Sequence, residues 1–172
     1  MHNSTEFRPL FGLHTGTYRL TSILTGDLSG DGMDWEKSGQ SWGARGRDWA
    51  DRQERLGINA FSMVLAHTGV RYGTKILDIA CGSGLAVDRA IALDAHGAGV
   101  DASEALLEIA RERTPSAHFV RSPMDALTFE DESFDVVVSF TGLQFCGESA
   151  FSEAFRVMKS GATLERSCGT DM

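Results

Sequence analysis

The sequence predicts a doubly wound α/β domain: a mostly parallel sheet with helices on both faces. Three observations carry this expectation. The apolar run Lys75-Ile76-Leu77-Asp78-Ile79 leads through Ala80 into the turn Cys81-Gly82-Ser83-Gly84, and a helical pattern starts at Leu85. A second, near-continuous apolar run from Phe134 to Phe140 has the composition of a parallel strand buried on both faces. Strand-like and helix-like stretches alternate between these runs, the order that builds parallel βαβ units.

The elements follow in chain order. Residues 1–40 are rich in Gly, Ser and Thr without sustained periodicity, and the expectation is a poorly ordered N-terminal segment. Within it, Asp27-Leu28-Ser29-Gly30-Asp31-Gly32 starts like a calcium-binding loop. Ser38 stands where that loop needs Glu, so a plain polar loop is expected. The sequence turns domain-like just after Met33, which marks that residue as a candidate translation start. The domain is expected over 41–165. Leu56, Ala60, Phe61, Val64 and Leu65 give a helical pattern between Trp42 and about His67, weakened by Gly43, Gly46 and Gly57. After the first strand, Val87, Ala90 and Ile91 mark one buried helical face. A short strand Ala98-Gly99-Val100 ends at Asp101, and Ser103 is placed to cap the next helix, which Pro115 stops. Ala117 to Val120 reads as a strand. Phe151, Ala154, Phe155 and Met158 form an amphipathic helix with Gly161 in position to cap it. Ala162-Thr163-Leu164 opens one more strand, and 166–172 is a polar tail.

Bulk properties exclude several function classes. The 172 residues suffice for one domain with its own core. A net charge of −8 argues against broad binding to nucleic acid, which needs clustered Lys and Arg. Cys81, Cys146 and Cys168 are odd in number and lack C-x-x-C spacing, so neither a disulfide framework nor a metal site is expected. A cytoplasmic setting is the simple reading. No apolar stretch approaches the roughly 18–20 residues of a membrane span, and the start of the chain lacks the pattern of a signal peptide.

The glycine turn admits two ligands. A dinucleotide fingerprint needs G-x-G-x-x-G, and Gly82-Ser83-Gly84-Leu85-Ala86-Val87 lacks the third glycine. Asp78 inside the preceding strand is foreign to that fingerprint. A carboxylate there either accepts a hydrogen bond from the turn or faces a cationic ligand.

With these residues in view, the sequence resembles the class I S-adenosylmethionine-dependent methyltransferases, of the small-molecule type related to ubiquinone-pathway enzymes, over roughly residues 42–164. That family has a Rossmann-like sheet. Asp78-x-x-x-Gly82-x-Gly84 resembles its first motif, which implies that Asp78, Ala80, Cys81, Gly82 and Gly84 cradle the methionine part of the cofactor. Asp101, 23 residues on (101 − 78), resembles the acid that takes both ribose hydroxyls, with Ala102 beside the adenine. Ser122-Pro123-Met124-Asp125-Ala126-Leu127 resembles the third motif. This implies that Asp125 receives the adenine amino group and Met124 contacts the ring, with Ala126 counted among the cofactor-binding residues. Ser139 ends the strand whose following loop, Leu143-Gln144-Phe145, the resemblance places near the transferred methyl. Glu153 to Gly161 is similar to the family's last common helix and turn, with Ser160 where proline is usual. The resemblance thus implies S-adenosyl-L-methionine as cofactor and a small-molecule methyl acceptor. It names no catalytic base; Gln144, the best-placed polar residue, cannot act as one.

Plainer readings stand beside these. Asp78 alone is also a structural cap, Asp101 a helix-start acid and Asp125 a loop acid. Cys81 reads as a packing residue, and Trp42 and Trp49 as either cofactor lid or core. The family's sheet continues into further C-terminal strands that this sequence lacks. The expectation is a shortened domain with an exposed edge and reduced stability. The alternative function is therefore a truncated, non-catalytic module that binds the cofactor or a partner.

Overall fold

The computed structural model describes residues 34–140, 142–143 and 146–166. Its sheet is built from β1 (Lys75–Ile79), β2 (His96–Asp101), β3 (His118–Arg121), β4 (Phe134–Ser139) and β5 (Met158–Arg166). The spatial order is β3-β2-β1-β4-β5 and every neighbouring pair is parallel. The predicted doubly wound architecture is thus observed. Asp78 pairs with Gly99 on one side and Val138 on the other, which puts it in the middle of the sheet.

Helices cover both faces because the strands are apolar on both. Leu77, Ile79, Val100 and Val137 pack with Ala150, Ala154 and Val157 of α7 (Glu148–Val157) on one side. Cys81 and Phe119 pack with Val87 of α5 (Leu85–Ile91) and with Leu107 and Ala110 of α6 (Glu104–Arg113) on the other. Ser103 caps α6 as expected, its hydroxyl accepting the Leu106 amide. Glu104 in the first turn and Arg111 and Arg113 in the last complement the helix dipole.

Two local readings change. Helix α7 stops at Val157, and Met158, expected on the helix, begins β5. Gly161, expected as a helix cap, lies inside β5 at φ 82, where the register with β4 shifts between Phe134 and Val136. A left-handed glycine serves a helix end and a strand irregularity equally, and a buried methionine suits either element. β5 therefore reaches Arg166, one residue past the expected domain limit.

Before the sheet, the expected single helical stretch is divided into α1 (Trp35–Gly43), α2 (Gly46–Asp48), a π-helical turn (Trp49–Gln53), α3 (Glu54–Leu56) and α4 (Ile58–His67). Helix α1 straddles the expected boundary at residue 40. Asp34, outside its hydrophobic pattern, caps it by accepting the Glu36 and Lys37 amides. Gly39, Gly43 and Gly46 line the side of this layer that meets α6 and the loop before it. A Cβ on Gly39 would strike the Ala102 carbonyl, and one on Gly43 would stand 2.6 Å from Ser103 Oγ. The Asp27–Gly32 stretch, Gln144 and Phe145 lie outside the described residues. Among the described residues no helix is long and apolar enough to cross a membrane.

Candidate functional site

The sheet order reverses at β1 and β4, and a doubly wound sheet opens its ligand crevice at the carboxyl ends of the strands there. The turn after β1 fills this point. Ala80 (φ 62), Gly82 (φ 55) and Gly84 (φ 78) are all left-handed, which folds the chain back tightly at the carboxyl end of β1. The Cys81 amide donates to the Val100 carbonyl and ties the turn to β2.

Asp78 lies beneath this turn. Its side chain is only 3% exposed, and Oδ1 has no hydrogen-bond partner among the described residues. Burial pushes its pKa well above the ordinary carboxylate range, and the charges of Glu54 and Asp101 add to the shift. Asp101 ends β2 on the same edge. Its Oδ2 accepts the Gly82 amide at 2.9 Å and its Oδ1 the Ser103 amide at 2.8 Å. Burial raises the Asp101 pKa and these amide bonds oppose the rise. Cys81 is buried, and burial first, then neighbouring acids, keep its thiol protonated, the state of a packing residue.

Ala102 follows Asp101 under α1. Its carbonyl accepts from Arg121 Nε at 3.0 Å, and the Arg121 guanidinium stacks 4.8 Å from the Trp35 ring centre. A cleft of about 220 Å³ opens here between Gly39, Gln40, Ala102 and Arg121. Ser139 is turned inward, its hydroxyl accepting the Leu143 amide at 3.1 Å. Gly142 in the same loop sits against Ala80, so the turns after β1 and β4 touch. Phe140 meets Phe61 of α4 edge-on, with ring centres 4.4 Å apart.

The predicted residues are not all gathered. Met124 is half-buried with its sulfur 3.8 Å from Cys146 Sγ. Asp125 and Ala126 are exposed in the loop after β3, and the Asp125 carboxylate makes no hydrogen bond among the described residues. Among these residues no cluster of His, Cys, Asp and Glu suits a metal ion.

The sequence reading missed Glu54. It belongs to a run of charged residues, Asp51-Arg52-Gln53-Glu54-Arg55, of the kind that marks a solvated face. In the structure it is 5% exposed and reaches the glycine turn. Trp49 accompanies it: a Cβ on Gly82 would lie 3.2 Å from Trp49 Nε1.

Known proteins share this frame. The chain is 38% identical over 109 residues to the demethylmenaquinone methyltransferase of Staphylococcus aureus, a match covering 59% of this chain and 45% of that protein. It thus spans less than half the length of the curated relatives it matches. A chain in the complex between the Haloferax volcanii Trm112 methyltransferase activator and a methyltransferase superposes with a TM-score of 0.64. The identity is 27%, over 75% of this chain and 57% of that one. An S-adenosylmethionine-dependent methyltransferase from Aquifex aeolicus, at 18% identity, shares the fold with a TM-score of 0.63 over 71% of this chain and 70% of its own. The methyltransferase domain family matches residues 76–161, from β1 and its glycine turn into β5. That is half of the chain, the half that builds the crevice, and the chain belongs to the class I S-adenosylmethionine-dependent methyltransferases.

Proposed function

We propose that this chain binds S-adenosylmethionine in the crevice between the β1 and β4 turns and transfers its methyl group to a small-molecule acceptor. The observation that carries the reading is the buried Oδ1 of Asp78, without a hydrogen-bond partner among the described residues, beneath the glycine turn. Such an atom is costly unless a donor arrives, and an amino-acid ammonium is a donor of the matching charge. Each Asp101 oxygen accepts one backbone amide and keeps a lone pair, which suits the two hydroxyls of a ribose. The residues present therefore fit the group.

When bound, S-adenosylmethionine supplies an electrophilic methyl on a sulfonium, itself a good leaving group. The chain's contribution is to orient and to exclude water. Ala80, Cys81, Gly82 and Gly84 shape the wall behind the methionine portion. Ala102, with Met124, Asp125 and Ala126 as the resemblance implies, flanks the adenine. Ser139 fixes the start of the loop after β4 through the Leu143 amide, next to the β1 turn. The Phe61–Phe140 edge pair gives this mouth an apolar wall. An apolar acceptor agrees with the name of the Staphylococcus aureus relative, a demethylmenaquinone methyltransferase, and a small-molecule acceptor suits the acidic balance of the chain.

Titration calorimetry with S-adenosylmethionine, followed by a methyl-transfer assay against quinol-type acceptors, tests the reading. Absence of binding defeats it. Binding without turnover favours the second reading, a non-catalytic cofactor-binding module. That reading is supported by the lack of an assigned proton acceptor among the described crevice residues.

A further inference from the structure

We infer that Glu54 is a positioning residue for the glycine turn, setting its ligand-ready shape from a helix outside the sheet. The inference rests on the reading of the crevice as a cofactor site and adds a residue from outside the stretch that carries its motifs. Helix α5 begins at Leu85 behind Gly84, a left-handed residue with no side chain to offer as a cap. Glu54 supplies the missing acceptor from 31 residues upstream. Its Oε1 accepts the Leu85 amide at 3.2 Å, and its Oε2 accepts the Ser83 hydroxyl at 2.6 Å. Arg113, at the end of α6, completes the arrangement. Its Nη1 donates to Glu54 Oε2 at 2.7 Å and to the Ser83 carbonyl at 2.6 Å. The side chain of Ser83 and that of Glu54 are both buried, so these bonds have no ready substitute in water.

The turn is therefore held by two grips. Asp101 holds the Gly82 amide, while Glu54 and Arg113 hold Ser83 and Leu85. Removing the second grip lets Ser83 and Leu85 move, and the Gly82 amide moves with them. Arg113 compensates the Glu54 charge at 2.7 Å. Glu54 therefore acts through the geometry of the turn rather than by attracting a sulfonium, although its charge is also felt at Asp78. That separates its role from that of Asp78, which has no cationic partner among the described residues.

The test compares affinities for S-adenosylmethionine and for its neutral thioether counterpart, S-adenosylhomocysteine. Calorimetry is run at a temperature where circular dichroism shows each variant fully folded. Glu54→Ala is expected to weaken both ligands equally, by about tenfold or more. Glu54→Gln, which keeps one acceptor, is expected to weaken both by less. Ser83→Ala removes a single bond and is expected to give a smaller parallel loss, which keeps the test open if the Glu54 variants do not fold. Asp135→Asn, at the start of β4 and away from the carboxyl edge of the sheet, is expected to lower the melting temperature slightly with both affinities unchanged. Unchanged affinity in folded Glu54 and Ser83 variants overturns the inference, and so does a loss confined to the sulfonium ligand. A wild-type protein that binds neither ligand defeats the cofactor reading along with it. Wild-type binding with unaltered variants defeats this inference alone.

Discussion

The Gly82 amide donates to Asp101 Oδ2 at 2.9 Å, so the turn after β1 is tied to the end of β2 by a side chain that the ligand is also proposed to use. Structure and binding are coupled in this one carboxylate. Asp101→Ala strips acceptors from the Gly82 and Ser103 amides at once. Leaving both unsatisfied costs about 1–3 kcal/mol, and each kcal/mol lowers Tm by about 2–4 °C in a chain of this size. Asp101→Asn keeps one acceptor and is expected to lose less stability while still losing ligand affinity. Thermal melts paired with calorimetry check this; equal melting temperatures for all three proteins would contradict it.

The stability of the ligand-free protein falls as pH rises above the ordinary carboxylate range because of Asp78. Its folded pKa lies above the unfolded value. Between those values the folded state holds a proton that the unfolded state has released. The stabilisation is therefore complete below the unfolded carboxylate range and is lost as pH rises through the folded value. Asp101 and Glu165, raised mainly by burial, act in the same direction. Asp135 and Glu153 act in the opposite direction. Their pKa values are lowered by hydrogen bonds from Lys159 and Arg156 respectively, so their contribution is lost as pH falls. At pH values above the ordinary carboxylate range, Asp78→Asn is expected to raise Tm and to flatten the fall of Tm with rising pH. Asp135→Asn is expected to flatten only the acid limb, and slightly, because that pair is partly exposed.

Gly39→Ala drives a methyl group into the Ala102 carbonyl and the Ser103 amide, backbone atoms that cannot rotate away. The expected cost is about 1–3 kcal/mol. The displaced α1 also uncovers Ala102, so the fluorescence of Trp35 and Trp42 shifts together with cofactor affinity. Gly161→Ala, with open space around it, carries only the penalty of a left-handed alanine, about 1–2 kcal/mol.

Arg156 binds the carbonyls of Leu127 and Phe129 and the carboxylates of Asp131 and Glu153. Arg156→Ala releases the segment between β3 and β4 from α7 and is expected to cost about 1–3 kcal/mol. Cofactor affinity is expected to fall as well, because Met124, Asp125 and Ala126 lie in the released segment, and protease cleavage is expected to begin near Asp131. Cleavage elsewhere, with this segment intact, would contradict the assignment.

The sheet and the ligand edge were legible because their signals are local. An apolar run, a glycine turn and an acid 23 residues later each constrain the backbone where they stand. The end of α7 was not legible, because Met158 satisfies a helical period and a buried strand alike and Gly161 suits two different bends. Glu54 was hidden for another reason. Its partners Ser83 and Arg113 lie 29 and 59 residues away, and a carboxylate in a charged run gives no sign that tertiary structure will bury it. Asp125, read from its motif, stands exposed without a hydrogen bond among the described residues.

The stretch from Gly46 to Leu56 is broken into a three-residue helix, a five-residue π-turn and another three-residue helix, closed by Gly57. The π-turn interrupts the α-helical hydrogen-bond ladder, and most residues of this stretch are exposed, so burial adds little. The free energy needed to lift this layer from the sheet is therefore smaller than that of global unfolding. Its amides are the ones that exchange with solvent through partial opening, ahead of those in β1, β2 and β4. Trp49 and Glu54 ride on that layer, so ligand occupancy of the crevice is read out as slowed exchange at residues 46–56, while the strands, already at the global limit, change less.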